Sequence, residues 1–304
     1  MVHYICLHYF DINNRRNKMK SILKYPGGKS WLATRSQKLI RELAPKSVAE
    51  PFCGGLSFSL NNEFEHVIAN DLIPPLINFY RHVQAGGKPN PADWKLEKEF
   101  YLQVRGELNQ LTDTGLVTTQ AAADMFWYLS MHGFNGLARF NLKGHWNVPM
   151  GEYDKIATPD GFGNFQEVTK NWEFVNGSYE DLDLREVNLI VADPPYAKVT
   201  KTRTTKKNVF ANYSGKGFNF NDQIQVADWL ADHDKPIIAC NSLNIDLARI
   251  YKARGFSIYR TMVPRSISCK GAGRNWEPEL LAFRGFGTNR KFSLLVDMAD
   301  RWRV

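Results

Sequence analysis

Residues 189–196 read Leu189-Ile190-Val191-Ala192-Asp193-Pro194-Pro195-Tyr196. Four apolar residues without a charge predict a buried strand, and the acid that follows stands where this strand ends in a turn. In a doubly wound α/β sheet, ligands bind at the carboxyl ends of the strands. The two prolines continue neither a helix nor a strand ladder, so we expect Asp193 in a stiff loop with exposed carbonyl groups.

The groups on this loop suit methyl transfer to an exocyclic amino group of a base. Such an amine is a poor nucleophile because its lone pair is delocalised into the ring. The Asp193 carboxylate and the Pro194 carbonyl would accept its two N–H bonds and pull the nitrogen toward tetrahedral geometry, while the Tyr196 ring would hold the base. An ordinary Asp-Pro-Pro turn is the alternative for the isolated tetrapeptide. The strand in front of it favours the catalytic interpretation.

Length and composition describe a globular chain with ample core. The 304 residues suffice for one large domain or a domain with an insertion, and 13% aromatic and 23% charged residues exclude a disordered chain. A total of 39 Lys and Arg against 31 Asp and Glu gives a net charge of +8, which favours polyanionic partners without requiring them. No apolar run reaches membrane-spanning length, and the first residues lack a basic leader, so we predict neither a membrane span nor a signal peptide.

The four cysteines lie far apart without paired spacing, at Cys6, Cys53, Cys240 and Cys269. We therefore expect neither a zinc site nor a disulfide framework, and this usage fits a reducing cytoplasm.

Two glycine turns before the central stretch predict a cofactor site. Residues 24–30 lead into a helical pattern over 31–43, and their paired glycines let backbone N–H groups approach an anionic ligand, although the spacing is not that of a nucleotide hydrolase phosphate loop. Residues 47–57 predict a strand, a glycine turn and a helix. The next strand ends at Asp71, which is placed to bind ribose hydroxyls; a helix cap or a loop acid is the alternative. The three-glycine fingerprint of dinucleotide-binding dehydrogenases is missing. The two glycine turns and Asp71 therefore favour an adenosyl cofactor.

Between residues 74 and 153 the strand patterns give way to helices, predicted over 76–83, 96–108 and 121–132. This change predicts an inserted helical subdomain. Its last part, residues 134–149, mixes aromatic residues, arginine and asparagine around turn glycines, as a reader of base edges needs. Taken alone, residues 134–149 are better explained as a hairpin with a packed aromatic face than as a reader of base edges.

The C-terminal half returns to an α/β pattern. Strands are predicted over 236–240, 257–263 and 279–284, with a helix over 244–254. Residues 198–207 are basic and rich in threonine, which predicts a solvated loop or one that closes on a phosphate backbone.

With these pieces in order, the chain resembles the DNA adenine amino-methyltransferases of the Dam type, the D12 class or alpha group. The resemblance spans residues 21–286, and its motifs are Lys24-Tyr-Pro-Gly-Gly-Lys29, Glu50-Pro-Phe-Cys-Gly-Gly55, Gly133-Phe-Asn-Gly-Leu-Ala-Arg139, Asp193-Pro-Pro-Tyr196 and Arg265-Ser-Ile-Ser268. It implies an S-adenosylmethionine-dependent enzyme that binds double-stranded DNA, flips adenine out and methylates its exocyclic amino group within GATC or a GAT-containing site.

The implied fold is α/β, a Rossmann-like S-adenosylmethionine-dependent methyltransferase fold. It has a mixed seven-stranded sheet, an inserted helical target-recognition subdomain and a hairpin. We expect a dispensable N-terminal extension (1–18), a discontinuous catalytic and cofactor-binding domain (19–74 plus 155–290), a target-recognition domain (75–154) and a C-terminal tail (291–304). The enzyme is expected to be a monomer without metal or membrane contact, in the cytoplasm of a bacterium or a phage-infected cell, in a phage, solitary or restriction-modification system.

Site residues follow from the positions that match the family's motifs. Those implied to act on the target amine are Asp193, Pro194, Pro195 and Tyr196. Those implied to bind the cofactor are Tyr25, Gly27, Gly28, Lys29, Glu50, Pro51, Phe52, Cys53, Gly54, Gly55, Asp71, Tyr179 and Asp193. Those implied to bind DNA are Lys24, Phe134, Asn135, Leu137, Arg139, Asn141, Asn147, Pro149, Tyr153, Arg265, Ser266 and Ser268.

Several of these positions carry a specific implied role. Tyr25 stacks on the cofactor's adenine, Asp71 binds the ribose, and Lys24 contacts the guanine before the target adenine. The side chains implied to read the second half of GATC are Leu137, Arg139 and Pro149. Those implied to enter the base stack are Phe134 and Asn135.

The chain departs from the family at three positions. Pro26 replaces the alanine of the enterobacterial members, Phe134 replaces tyrosine, and Met131 stands where some members have a phosphate-binding arginine. Two rival interpretations stay open at this point. Related motifs serve amino-methylation of RNA, cytosine or protein glutamine, and a catalytically idle DNA-binding module would keep the same scaffold.

Overall fold

The computed structural model describes residues 19, 21–196, 218–264, 276–287 and 300–301. In these residues one mixed sheet contains eight strands: β1 (Ser47–Glu50), β2 (His66–Asp71), β3 (Glu173–Asn176), β4 (Leu189–Ala192), β5 (Ile237–Ser242), β6 (Ser257–Pro264), β7 (Trp276–Arg284) and β8 (Asp300–Arg301). Their lateral order is β3-β2-β1-β4-β5-β7-β6-β8. The expected mixed seven-stranded sheet is present, and the two-residue strand β8 extends its edge.

Strands β1 to β5 run parallel, and β7 pairs antiparallel with both β5 and β6. Both β1 and β4 are buried at every residue, as expected of parallel strands that are covered on two faces. The lateral order reverses between β1 and β4, because β2 and β3 lie on one side and β5 on the other. In an open α/β sheet, the crevice at such a switch point is where ligands bind.

The described residues contain seven α-helices: α1 (Ser30–Leu43), α2 (Pro74–Gln84), α3 (Lys98–Asp113), α4 (Gln120–His132), α5 (Phe162–Thr169), α6 (Phe220–Ala231) and α7 (Ile245–Ala253). Helices α2, α3 and α4 lie between β2 and β3 in sequence, and α4 packs against both α2 and α3.

Two apolar clusters cover the two faces of the sheet. Val48 and Leu189 belong to the cluster that contains α1, α2 and α4, whereas their neighbours Ala49 and Ile190 belong to the cluster that contains α6 and α7. Successive strand residues therefore alternate between two cores, which explains the uninterrupted apolar run before Asp193.

The helix predicted after the Gly54-Gly55 turn is wrong. The chain forms only a 3-10 turn, Ser59–Asn61, before it enters β2. The amides of Asn61 and Asn62 donate to the carbonyls of Ser57 and Phe58 at 2.9 Å each. Asparagine side chains that bond to nearby backbone compete with helix formation, and here they accompany the end of the turn.

Helices α5 and α6 are absent from the elements predicted from the sequence. Helix α6 begins with a capping box in which the Asn219 side chain accepts from the Asp222 N–H and the Asp222 carboxylate accepts from the Asn219 N–H. This spacing is a recognisable helix start and would have identified α6.

His132 connects the end of α4 to the segment that follows the insertion. Its Nδ1–H donates to the Tyr128 carbonyl at 2.8 Å, and its Nε2 accepts from the Ala157 N–H at 3.0 Å. These two bonds require the neutral imidazole with the proton on Nδ1. Burial lowers the pKa of His132, which also favours the neutral form.

Replacement of His132 with phenylalanine removes both hydrogen bonds, so we expect the free energy of unfolding to fall by about 1–3 kcal/mol at pH 8. Because the folded-state pKa of His132 is lowered, its contribution is present above the unfolded-state pKa of about 6.5 and is lost as the pH falls below that value. Urea unfolding of both proteins from pH 8 to pH 5 should show the difference shrinking. A difference that stays the same at every pH would contradict this role.

Candidate active site

The two acids that end β1 and β4 meet at the switch point of the sheet. Glu50 is the last residue of β1, and Asp193 directly follows β4. The strands are parallel neighbours, with Val48 opposite Leu189 and Ala49 opposite Ile190. The sheet register thus places loop 50–55 beside loop 193–196.

Asp193 forms an ion pair with Lys29, the residue before α1. The Lys29 Nζ lies 2.7 Å from Asp193 Oδ2 and also donates to the Gly27 carbonyl at 2.9 Å. Burial alone would lower the pKa of the Lys29 ammonium, but the charges of Asp193 and Glu279 raise it above its usual value. Lys29 therefore remains a cation beside the acid. The sequence predicted it as a cofactor residue, and the structure adds this contact with Asp193.

The last two residues of loop 193–196 are held by other elements. The Tyr196 hydroxyl donates to Glu279 Oε2 at 3.0 Å, and the Pro195 carbonyl accepts from Gln223 Nε2 at 2.6 Å. Burial, followed by the charges of Asp193 and Glu279, raises the pKa of Tyr196 well above its usual value, so the phenol stays protonated. Pro194 is buried.

Loop 50–55 is attached to the end of β2. The Cys53 N–H donates to the Asn70 carbonyl at 2.8 Å, and the Asn70 amide donates to the Pro51 carbonyl at 2.9 Å. The Gly54 N–H donates to Asp71 Oδ2 at 3.1 Å. These bonds fix the shape of the predicted cofactor loop without any ligand.

Asp71 also accepts a hydrogen bond at the start of α2, from the Ile73 N–H to Oδ1 at 3.2 Å. Both its oxygens therefore bind backbone N–H groups, but Asp71 does not cap α2, because Ile73 is the N-cap residue and no side chain caps this helix. Burial raises the pKa of Asp71 to about 6. Contact of Asp71 with a ribose stays a prediction.

Glu50 is 7% exposed and accepts from the Ser59 N–H at 3.0 Å. Burial raises the pKa of this carboxyl group to about 7, with the bond from Ser59 and the charge of Lys29 opposing the shift. Glu50 is therefore a buried acid that titrates near neutrality.

Tyr25 packs across the glycines of loop 50–55. A Cβ on Gly54 would lie 3.2 Å from the Tyr25 ring, and one on Gly55 would lie 3.1 Å from the Tyr25 Cβ. A side chain at either position would crowd Tyr25, and the positive φ of 45° at Gly54 also favours glycine there. Nearby, a Cβ on Gly28 would lie 2.9 Å from Ser57 Oγ, which accepts from the Lys29 N–H.

An aromatic group borders the same loop. The rings of Phe52 and Tyr179 lie 5.2 Å apart, and Phe218 approaches Phe52 at 6.5 Å. Phe52 and Tyr179 were predicted as cofactor residues, whereas Phe218 was not.

Lys24 and Tyr153, both predicted to bind DNA, are in contact. The Lys24 Nζ lies 4.0 Å from the centre of the Tyr153 ring and donates to the Met131 carbonyl at 2.8 Å. Gly136 packs on the Lys24 stem, since a Cβ there would lie 3.2 Å from the Lys24 Cβ. The Tyr153 hydroxyl donates to the Gly133 carbonyl at 2.8 Å.

Arg139 and Asn147 are paired across hairpin 134–149. The Arg139 guanidinium donates to Asn147 Oδ1 at 2.6 Å and to its carbonyl at 3.0 Å. Asn141 has a turn-forming contact instead, because its Oδ1 accepts from the N–H groups of Lys143 and His145. The hairpin thus holds Arg139 in a defined direction while its side chain remains exposed.

The hairpin also has the packed aromatic face of the alternative interpretation. Phe140 and Trp146 are buried and meet edge to face at 5.4 Å. Three other predicted DNA-binding side chains of the hairpin are exposed: Phe134, Asn135 and Pro149. Leu137 is half-buried. Asn135 has a left-handed φ of 53°.

Some predictions fall on residues that the structure does not describe. Arg265, Ser266, Ser268 and the basic segment 198–207 lie outside the described residues.

Phe218 and three polar residues at the site were missed in the sequence. The polar residues are Gln223, Asn241 and Glu279. Asn241 follows the apolar run 237–240 at the carboxyl end of β5, as Asp193 follows the run before it. The same signal would have identified Asn241. Gln223 and Glu279 carry no comparable signal.

The described part of the chain contains no group of three or more His, Cys, Asp or Glu side chains that could hold a metal ion. Cys53 and Cys240 are buried free thiols. None of the helices described is long and apolar enough to cross a membrane.

Comparison with known proteins identifies the chain's relatives. A DNA adenine methylase from Vibrio cholerae is 33% identical over 279 residues, which cover 87% of this chain and 96% of that protein. The type II methyltransferase M.MjaIII from Methanocaldococcus jannaschii is 30% identical, with 84% and 96% covered. A solved structure of a putative RNA methyltransferase from Pyrococcus horikoshii is 9% identical with a TM-score of 0.40, and 88% of this chain and 89% of that one are covered.

The family profile described as D12 class N6 adenine-specific DNA methyltransferase matches residues 25–267. This match includes both motif loops and the whole insertion between β2 and β3. The fold is accordingly the Rossmann-like methyltransferase fold expected from the sequence. The chain belongs to the D12 class of N6 adenine-specific DNA methyltransferases.

Proposed function

We propose that this adenine-specific DNA methyltransferase uses S-adenosylmethionine, flips adenine out of duplex DNA and methylates the amine at loop 193–196. The observation that carries the proposal is that Lys29 contacts both Asp193 and the Tyr196 ring. These residues lie beside loop 50–55 at the switch point of the sheet. An enzyme that modifies a base of duplex DNA cannot reach its target atom inside the stack, so the proposal includes flipping of the adenine.

The residues around loop 50–55 fit this cofactor. The sulfonium and amino groups of S-adenosylmethionine are cationic, and Glu50, Asp71 and Asp193 place carboxyl groups at this edge. Tyr25 packs against the glycine backbone and offers a flat surface for an adenine ring. When bound, S-adenosylmethionine supplies a methyl group already activated by the positive sulfur.

The chain's own residues prepare the amine. Asp193 and the Pro194 carbonyl accept its N–H bonds, and the Tyr196 ring holds the flipped base. The Lys29 ammonium, 2.7 Å from Asp193, favours the ionised carboxylate that can accept such a bond. Asp193 is also the base within reach of the proton that the methylated nitrogen must lose.

In this proposal residues 75–154 form the target-recognition unit beside a catalytic unit of residues 19–74 and 155–290, and Lys24 of the catalytic unit also contacts DNA. Lys24, Arg139 and exposed Phe134 occupy positions that the family resemblance assigns to guanine contact, base reading and entry into the stack. On that resemblance we propose GATC or a GAT-containing sequence as the target and a monomer as the form that binds it.

Long-read sequencing of DNA from cells that express the chain tests the target. N6-methyladenine within GAT-containing sites is expected. Modification confined to other sequences would overturn the specificity, and DNA without modified adenine would overturn the activity.

Replacement of Asp193 with alanine should reduce the methylation rate by about 10²–10⁴-fold or more, because the amine loses its acceptor. Because Asp193 is also one of the carboxyl groups proposed to face the cofactor, S-adenosylmethionine should bind more weakly but still measurably in calorimetry, which would show that the variant is folded. The matched control is Asp183→Ala, which removes an exposed carboxylate paired with Arg185. Full activity of Asp193→Ala would refute the assignment.

Cofactor affinity should rise with pH through Glu50. A cationic ligand prefers the ionised carboxylate, and since burial raises the pKa of Glu50 to about 7, the competent fraction grows about tenfold between pH 6 and pH 8. Calorimetry in two buffers with different ionisation enthalpies should detect proton release on binding. The Glu50→Gln variant should lose the share of proton release that comes from Glu50. Proton release from the ligand's own amino group should be the same in the wild type and the variant. Equal proton release in both would exclude Glu50.

Replacement of Arg139 with alanine should cost about 1–3 kcal/mol of discrimination at one base pair. The control Lys143→Ala alters an exposed cation on the same hairpin and should weaken binding uniformly across sequences. Methylation rates on duplexes with single substitutions in the site provide the measurement. An unchanged sequence preference in Arg139→Ala would contradict base reading.

A further inference from the structure

Loop 193–196 is braced by two buried side chains from elements that carry no recognised motif. Gln223, on α6, is fully buried and donates to the Pro195 carbonyl at 2.6 Å. Glu279, on β7, is 3% exposed and accepts from the Tyr196 hydroxyl at 3.0 Å.

The orientation of Gln223 is fixed by a chain of amide hydrogen bonds. A carbonyl only accepts, so the NH₂ of Gln223 must face Pro195 and its Oε1 must face away. That Oε1 accepts from Asn241 Nδ2 at 2.7 Å, and Asn241 Oδ1 accepts from the Ser242 N–H at 2.9 Å. The chain starts on β5, passes through α6 and ends on the loop.

The Tyr196 ring is held at two points. Glu279 binds its hydroxyl, and the Lys29 ammonium lies 5.0 Å from the ring centre. The same ammonium forms the ion pair with Asp193. Tyr196 and Asp193 are therefore connected through shared neighbours, so a shift of the ring would alter the surroundings of the acid.

We propose that Gln223 and Glu279 are positioning residues for adenine methylation. Gln223 fixes the backbone of the loop at Pro195, and Glu279 fixes the plane of the Tyr196 ring that receives the flipped base. Neither side chain needs to touch DNA or cofactor. The inference rests on the proposed function of loop 193–196.

The Gln223→Met variant tests the first brace at nearly constant volume. The thioether has no N–H to donate to the Pro195 carbonyl, so the brace is lost. We expect the single-turnover methylation rate per folded molecule to fall about 10- to 100-fold, as for a reacting group displaced by about 1 Å. The Kd for S-adenosylmethionine should stay unchanged. Gln225→Met, on the exposed side of the same helix, is the matched control.

The second brace is tested by Glu279→Ala and Glu279→Gln. Alanine removes the acceptor and should lower kcat by a similar factor with an unchanged KM for DNA, whereas glutamine retains a carbonyl acceptor and should recover most of the rate. In Glu279→Ala, 2-aminopurine at the target position should report a less restrained flipped base. Glu277→Ala, an exposed position on the same strand, is the control.

The outcomes separate this inference from the proposed function. An inactive wild-type chain would reject the proposed function. An active wild type with an inactive Asp193→Ala and wild-type rates for Gln223→Met and Glu279→Ala would reject only the positioning roles. A rate loss fully explained by a smaller folded fraction, measured by circular dichroism, would also reject them.

Discussion

The buried contact between Lys29 and Asp193 is the constraint on which the site depends. It joins the start of α1 to the end of β4, two segments more than 160 residues apart in sequence, at a separation of 2.7 Å. Loss of Asp193 leaves the buried Lys29 ammonium without its carboxylate partner, which destabilises the fold, although the 23% exposure of the Asp193 side chain reduces the cost below that of a fully buried pair. The position of Asp193 and the stability of the fold therefore depend on the same ion pair.

One short stretch, residues 24–29, contacts three parts of the proposed site. Lys24 contacts Tyr153 beside hairpin 134–149, Tyr25 packs on loop 50–55, and Lys29 pairs with Asp193. Within six residues the chain thus contacts the parts proposed to read DNA, to bind the cofactor and to act on the amine. This proximity explains why so short a motif is informative, because three of its side chains are restrained by different parts of the molecule.

The sequence predicted the parts of the structure whose causes are local. Buried parallel strands appear as unbroken apolar runs, and polar residues after them mark the carboxyl edge, so Glu50, Asp71 and Asp193 could be placed together. Contacts made by distant elements were not predictable in the same way. The bonds from Gln223 and Glu279 to loop 193–196 depend on the packing of α6 and β7. The helix predicted after Gly55 does not form, and the amides of Asn61 and Asn62 there donate to the carbonyls of Ser57 and Phe58.

The central claim is that residues 193–196 direct a methyl group to the exocyclic nitrogen of adenine. Its most direct test is incubation of the purified chain with S-adenosylmethionine carrying an isotope-labelled methyl group and duplex DNA containing every tetramer, followed by mass spectrometry of the nucleosides. The account predicts label in N6-methyldeoxyadenosine. Label in a cytosine derivative, or unlabelled DNA, would contradict it.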